Sequence, residues 1–130
     1  MKSSDLKPGL FIVIEFSDDR CPELITSVEE TFFRTRSLRC FRDGRVIGVK
    51  YEFNAFLYCN EEASLGPRLL DTIRIISEGE VMAFLADQAE SYDGRAREAR
   101  ESAIRNETLA AVYRQVSRTI IDEARQIAAP

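Results

Sequence analysis

Five arginines lie close together near the middle of this sequence, and they are the residues best suited to binding chemistry. They are Arg34, Arg36, Arg39, Arg42 and Arg45. A guanidinium group is a planar, multidentate donor that matches carboxylates and phosphates. We therefore predict that Arg36, Arg39, Arg42 and Arg45 form a binding surface for an acidic partner. The alternative is a solvated hairpin face whose charges keep an edge strand from aggregating.

Residues for covalent or acid–base catalysis are sparse. The chain contains no histidine, which excludes Ser-His-Asp and Cys-His catalysis and the zinc sites that need an imidazole ligand. No GxGxxG, P-loop or GxSxG motif occurs in the sequence. We therefore predict no catalytic residues and a protein that is not an enzyme.

Cysteines and paired carboxylates are the remaining candidates for a metal site. Cys21, Cys40 and Cys59 are odd in number and form no CxxC motif, so they are expected to be small buried thiols. Adjacent carboxylates occur at 18–19, 29–30 and 61–62 without EF-hand or nuclease spacing. We predict that the protein holds no metal and no cofactor.

Composition and charge narrow the class of protein. The chain has 130 residues, 45% of them hydrophobic, and a net charge of −4. That size predicts one domain over 1–130, mainly sheet over 1–77 and helical over 78–130. An acidic chain argues against nucleic acid as a partner. Its apolar runs are too short for a membrane span or a signal peptide, and we expect a cytoplasmic protein.

Strand signals dominate the first half of the chain. We predict strands over 10–16, 33–41, 45–59 and 70–76, the first covered on both faces because it is apolar throughout. Asp43-Gly44 is typical of a hairpin turn. A two-residue turn would set Arg36 opposite Tyr51. A three-residue turn with a bulge at Gly44 would set Phe33 opposite Phe53, and we favour this register.

Helix signals are ambiguous at first and clear later. Spacing of apolar residues over 22–32 favours a short helix, although its β-branched residues favour a strand. A second helix is predicted to start at Ser77, with Glu80 completing a capping box, and to end at Asp93-Gly94. The chain beyond is helical, with either a break near 106–108 or one long helix.

The last helix carries a broad aliphatic stripe. It includes Val116, Ile120 and Ile127, and the expected sheet has little surface left to bury it. We predict that these residues form a self-association surface in a homodimer, because monomers seldom leave such a patch exposed.

Together these signals predict an α+β fold. We expect an antiparallel sheet of about four strands followed by two or three helices, in an order that allows a ferredoxin-like βαββ(α)β arrangement. The favoured function is a non-enzymatic protein-binding module such as a small inhibitor or adaptor, for example a phage-type inhibitor of a bacterial defence complex. The alternative is a small-ligand or nucleotide-binding protein that uses the arginine cluster.

Overall fold

The computed structural model describes residues 1–15, 20–58, 65–98 and 103–129. Its strands are β1 (Phe11–Ile14), β2 (Glu23–Val28), β3 (Phe32–Ser37), β4 (Gly48–Glu52), β5 (Phe56–Tyr58), β6 (Leu65–Arg68) and β7 (Ile73–Ile76). Its helices are α1 (Leu69–Thr72), α2 (Glu78–Glu98) and α3 (Ala103–Ala128), and a 3₁₀ turn spans Ser3–Asp5. Five strands form an antiparallel sheet in the order β4-β3-β2-β1-β7, and β5 and β6 form a separate ribbon.

The expected α+β class is confirmed. An antiparallel sheet with helices packed on one face is the layer arrangement of ferredoxin-like proteins. The strand order is that of a meander, because β1 to β4 follow one another and β7 returns to pair with the other edge of β1. The sheet has one strand more than expected, and that strand is β2.

Residues 22–32 form β2 and the turn after it, so the favoured helix is wrong and the strand alternative is right. Leu24 is buried in one hydrophobic core and Ile25 in the other, as the alternating sides of a strand require. β2 pairs with β1 and β3, with a register shift between Ile25 and Ser27. Pairing on both sides suits the β-branched residues here better than a helix does.

Two hydrophobic cores lie on opposite faces of the sheet, and β1 contributes to both. Phe11 and Val13 pack in the core beneath α2 and α3, whereas Ile12 is buried in the second core and Ile14 packs against it. The expectation that this strand is covered on both faces is confirmed. The second core also contains Leu6, Ile25, Phe33, Phe53, Leu69, Leu70 and Ile73.

The long strand expected over 45–59 is divided. β4 ends at Glu52, and a turn follows in which the Ala55 amide donates to the Glu52 carbonyl. The break places Phe53 in the second core and lets β5 pair with β6 instead of β3. Position 59, where the strand was expected to end, lies outside the described residues. The strand expected over 70–76 begins at Ile73, after the single turn of α1.

Helix α2 begins as expected but extends further. The Ser77 hydroxyl accepts a hydrogen bond from the Glu80 amide at 3.1 Å, although the Glu80 carboxylate binds Arg74 rather than closing the capping box. The predicted end at Asp93-Gly94 is wrong, since the helix continues to Glu98. A glycine inside a helix costs about 1 kcal/mol relative to alanine.

Contacts with α3 offset that cost. Tyr92 and Tyr113 stack with ring centroids 5.9 Å apart, and Arg114 forms an ion pair with Asp93. Helix α3 runs without interruption from Ala103 to Ala128, so the break expected near 106–108 is absent and the alternative of one helix holds for this range.

The C-terminal end of α3 lies against Gly9, which comes shortly before β1. Gly9 has a φ of +91°. A Cβ atom added there would lie 2.6 Å from the Ala124 backbone oxygen and 2.6 Å from the Ala128 Cβ atom. The close approach of helix and strand therefore depends on a residue without a side chain.

Candidate partner-binding surface

The predicted arginine hairpin is a long loop between β3 and β4, residues 38–47, which we call the β3–β4 loop. In the observed register Phe33 lies opposite Tyr51 and Arg36 opposite Gly48, so both predicted registers are wrong. The loop between the two strands is much longer than either predicted turn. Leu38, the first residue after β3, is buried in the core beneath the helices, and its amide donates to the Pro22 carbonyl.

The turn residues lie at the tip of this loop. The Gly44 amide donates to the Phe41 carbonyl at 3.0 Å, and Gly44 adopts a φ of +76°. The Asp43 carboxylate accepts a hydrogen bond from the Arg45 amide at 3.1 Å. Asp43-Gly44 thus makes a turn where the sequence predicts one, but the turn is too far from both strands to set their register.

The structure groups three of the four predicted partner-binding arginines. Arg39, Arg42 and Arg45 are exposed on the β3–β4 loop. Arg36 lies on β3 and forms an ion pair with Glu123 of α3 at 2.5 Å. The hydrogen bond from Arg36 lowers the pKa of Glu123 below its usual value. Arg36 is thus held to α3, and Arg45 forms an ion pair with Asp43 of its own loop at 3.8 Å.

Two apolar residues that we did not assign to the binding surface complete it. Val46 is 65% exposed and Ile47 is 43% exposed. Beside them the Arg45 guanidinium lies over the Phe41 ring, 4.3 Å from its centroid. In the sequence, the apolar pair Val46-Ile47 directly after the turn at Asp43-Gly44 is the signal that could have identified this part of the surface. The loop therefore presents apolar side chains flanked by arginines.

The base of the loop is held against the helices. The Cys40 amide donates to the Tyr113 hydroxyl at 3.2 Å. The Cys40 side chain packs against the same core as Leu38. Burial, with a smaller contribution from nearby Cys21, raises the pKa of the Cys40 thiol to about 11. The N-terminal side of the loop is thus fixed against the helices.

A groove lies on each side of the loop. One, of about 200 Å³, lies between the loop and α3, and Arg36, Arg39, Arg45 and Glu123 are among its lining residues. The other, of about 440 Å³, lies against both helices. It is lined by Arg39, Cys40, Phe41, Arg42, Gln88, Tyr92, Leu109 and Tyr113. Only the first groove has a carboxylate among these described lining residues.

A buried polar cluster lies on the opposite face of the sheet, and it was not predicted from the sequence. Glu23 is 8% exposed. Its carboxylate accepts a hydrogen bond from the Thr35 hydroxyl at 2.6 Å and from the Tyr51 hydroxyl at 2.8 Å. Burial, and then the Glu23 charge, raise the pKa of Tyr51. Tyr51 is therefore a hydrogen-bond donor at neutral pH, and the cluster joins β2, β3 and β4.

The acidic pairs and the cysteines are the side chains of this chain best suited to ligate a metal ion. Within the described ranges, no three side chains among Cys, Asp and Glu converge as a metal site would require. The pairs at 18–19 and 61–62 and position 59 lie outside those ranges. In the same part of the chain, no helix combines the length and apolarity needed to cross a bilayer.

The aliphatic stripe of α3 is used within the chain. Ile120 is fully buried, and Val116 and Ile127 pack against the same core. The premise that this stripe is left uncovered is therefore wrong, because α2 and the sheet together supply enough apolar surface. The homodimer itself stays an untested prediction.

Comparison of the chain with protein-family models, with curated proteins and with solved structures found no match.

Proposed function

We propose that this protein is a non-enzymatic protein-binding module, of the inhibitor or adaptor kind, that uses the β3–β4 loop to bind an acidic surface of a partner protein. One observation carries the proposal. The exposed side chains of Val46 and Ile47 directly follow Arg45, on the loop that also carries Arg42. Apolar residues flanked by arginines are typical of protein interfaces, where arginine is enriched over lysine.

The way the loop is held supports this function. Buried Leu38 and the Cys40–Tyr113 hydrogen bond fix one side of the loop. The Ser37 amide, which donates to the Ile47 carbonyl at 2.9 Å, fixes the return to β4. A loop that is ordered before binding loses less conformational freedom on association, and that raises affinity.

We also propose a cytoplasmic location. Cys21 and Cys40 are thiols rather than a disulfide. The raised pKa of Cys40, about 11, keeps its thiol protonated at neutral pH. Inert, partly buried thiols are typical of proteins in reducing compartments.

To test the loop, the partner is first isolated by affinity capture from the native host and purified. Its binding to wild type and to Arg42→Glu with Arg45→Glu is then measured by surface plasmon resonance. We expect the double variant to bind at least about 10-fold more weakly, mainly through a slower and less salt-dependent association rate. Exposed charges seldom change stability by more than about 0.5 kcal/mol, so the variant is expected to melt like wild type.

The matched control reverses two arginines of α3 that line neither groove, Arg105→Glu with Arg118→Glu. Both residues are exposed, and the net charge changes by the same amount. If the two double variants bind the partner equally well, the effect is one of overall charge and the loop is not the interface.

A second candidate function, binding of a small anion such as a nucleotide, is favoured by the larger groove. Arg39 and Arg42 line it together with the stacked rings of Tyr92 and Tyr113, and its described lining contains no carboxylate. Arginine side chains are well suited to bind a phosphate group. A rise in melting temperature with one member of a nucleotide panel, lost in Arg42→Glu, would select this function.

A further inference from the structure

Strand β4 lies at one edge of the sheet. Its outer side carries backbone amide and carbonyl groups that form no hydrogen bonds with β3. In the described part of the chain, β4 pairs with β3 alone. The Ser37 amide donates to the Ile47 carbonyl, and the Phe53 amide donates to the Thr31 carbonyl, in the register of the β3–β4 ladder. Residues of an antiparallel strand face the partner strand alternately, so the odd-numbered residues of β4 bond to β3.

The even-numbered residues of β4 therefore direct their amides and carbonyls outward. They are Gly48, Lys50 and Glu52. The Glu52 carbonyl is used by the Ala55 amide at 3.1 Å. Among the described residues, no backbone partner is found for either group of Gly48 and of Lys50 or for the amide of Glu52, and these groups lie in line along the edge. This is the arrangement that an added strand needs.

We propose that β4 receives an extended acidic segment of a partner protein as an additional strand, with a carboxylate of that segment beside Lys50. The proposal rests on the function proposed above and states how such a module would hold its partner. Backbone hydrogen bonds would supply affinity, and the side chains on both sides of the edge would select the sequence.

The positive charges around Lys50 favour an acidic occupant at that position of the edge, although Glu52, two residues further along it, is itself a carboxylate. Lys50 lies directly opposite Arg34 on β3, and like charges in that relation destabilise a strand pair. Both cations lie over the Phe32 ring, the Lys50 amine 4.4 Å and the Arg34 guanidinium 5.4 Å from its centroid. A groove of about 430 Å³ beside them has Arg34, Arg36 and Lys50 in its described lining and no carboxylate. A carboxylate on an added strand would relieve this repulsion.

The same charges argue against a second copy of the chain as the occupant. A two-fold antiparallel pairing through the outward groups, in full overlap, would set Lys50 of one copy opposite Lys50 of the other. Each Lys50 has Arg34 beside it, so four cations would lie in one row. An acidic partner segment has no such penalty.

The edge is also continuous with the β3–β4 loop. Val46 and Ile47, which are exposed, lead directly into Gly48. A segment paired with β4 would continue onto these apolar side chains. We therefore expect a partner segment in which acidic and apolar residues alternate.

The test compares Gly48→Pro with Gly48→Ala. Proline removes one outward amide without removing a bond to β3, and proline is tolerated on edge strands. Alanine keeps that amide, and its Cβ would meet the Thr35 backbone oxygen at 3.7 Å, an ordinary contact. The probe is a fluorescein-labelled heptapeptide of alternating valine and glutamate, with a valine–lysine peptide as its control, measured by fluorescence anisotropy.

We expect wild type and Gly48→Ala to bind the glutamate peptide equally, and Gly48→Pro to bind at least about 10-fold more weakly, as the loss of one hydrogen bond predicts. Lys50→Glu is expected to reverse the preference, so that the lysine peptide binds better. This variant keeps the proposal testable if Gly48→Pro fails to fold. No binding of the glutamate peptide by wild type, or the same peptide preference in Lys50→Glu, would overturn the proposal.

The outcomes also separate strand addition from the loop function. Suppose that the double variant Arg42→Glu with Arg45→Glu no longer binds the captured partner, whereas Gly48→Pro and Lys50→Glu still bind it. The β3–β4 loop is then the partner-binding surface, and strand addition at β4 is wrong. Lys50 then only protects the edge from aggregation. If Gly48→Pro loses the partner and the loop variant keeps it, strand addition stands and the loop is not the interface.

Discussion

Substitution of Gly9 by alanine tests how the last helix is held on the sheet. The new Cβ would lie 2.6 Å from the Ala124 backbone oxygen and 2.6 Å from the Ala128 Cβ atom. Neither atom belongs to a flexible side chain, so α3 would have to move away from β1. Overpacking of this kind costs about 1–3 kcal/mol. The positive φ at this residue adds about 1–2 kcal/mol for any residue with a Cβ.

The total expected loss is therefore about 2–5 kcal/mol, out of the 5–15 kcal/mol typical of a whole domain. Gly44→Ala is the matched control. Gly44 has a similar φ of +76°, but no atom lies within 4 Å of the position its Cβ would take. Gly44→Ala should lose only the part of the stability that the positive φ accounts for. The difference between the two losses isolates the collision with α3.

Both losses can be measured by urea unfolding followed by far-ultraviolet circular dichroism, with the slopes compared to check that unfolding stays two-state. We expect Gly9→Ala to lose at least about 1 kcal/mol more than Gly44→Ala. Equal losses would refute the reasoning, because they would mean that α3 does not approach residue 9.

Two further predictions concern buried polar groups. Tyr51→Phe removes the hydroxyl that donates to Glu23 and should lower the free energy of unfolding by about 1–2 kcal/mol, and an unchanged urea midpoint would contradict the buried cluster. Burial raises the pKa of Cys40 from 9.0 to about 11, so the folded state favours the protonated thiol. Its contribution to stability is intact below pH 9 and lost as pH rises to about 11. Cys40→Ala should therefore lose less stability than wild type between pH 9 and about 11, as measured by urea unfolding at several pH values in that interval. If the free energy of unfolding falls with pH equally in both proteins, Cys40 is as solvated in the folded state as in the unfolded chain.

The elements that could be predicted from the sequence are those that depend on neighbouring residues. The unbroken apolar run that forms β1 needs no knowledge of its partners to be identified as a doubly covered strand. The turn at Asp43-Gly44 and the helix start at Ser77 depend on residues next to them. These features, with the α+β class, are present in the structure.

The elements that could not be predicted depend on distant partners. Residues 22–32 have apolar side chains at helical spacing, but pairing with β1 and β3 decides the outcome. The register of β4 goes with a loop over 38–47 that is longer than either predicted turn. Ile120 has the sequence pattern of an interface residue, yet it is fully buried in the core that also contains Val81 and Leu85 of α2.

The binding surface was predicted only in part, because some of its contacts are also made between residues distant in the sequence. The density of arginines identifies the loop, since charges at a turn are solvated in almost any fold. Arg36 could not be separated from the others, because its partner Glu123 lies far along the chain. The exposure of Val46 and the position of Lys50 opposite Arg34 follow from the register alone.

The pairing of β1 with β7 has a consequence for how the chain is made. Ile14 pairs with Ile73, and Phe11 pairs with Ile76, so β1 lacks one neighbour until β7 has been synthesised. At about 5–20 residues per second, the ribosome needs about 3–12 s to add the roughly 60 residues between them. The helices that cover one face of the sheet emerge later still. During that interval the nascent chain carries an open apolar strand edge, which is the state that chaperones bind and in which misfolding competes with folding.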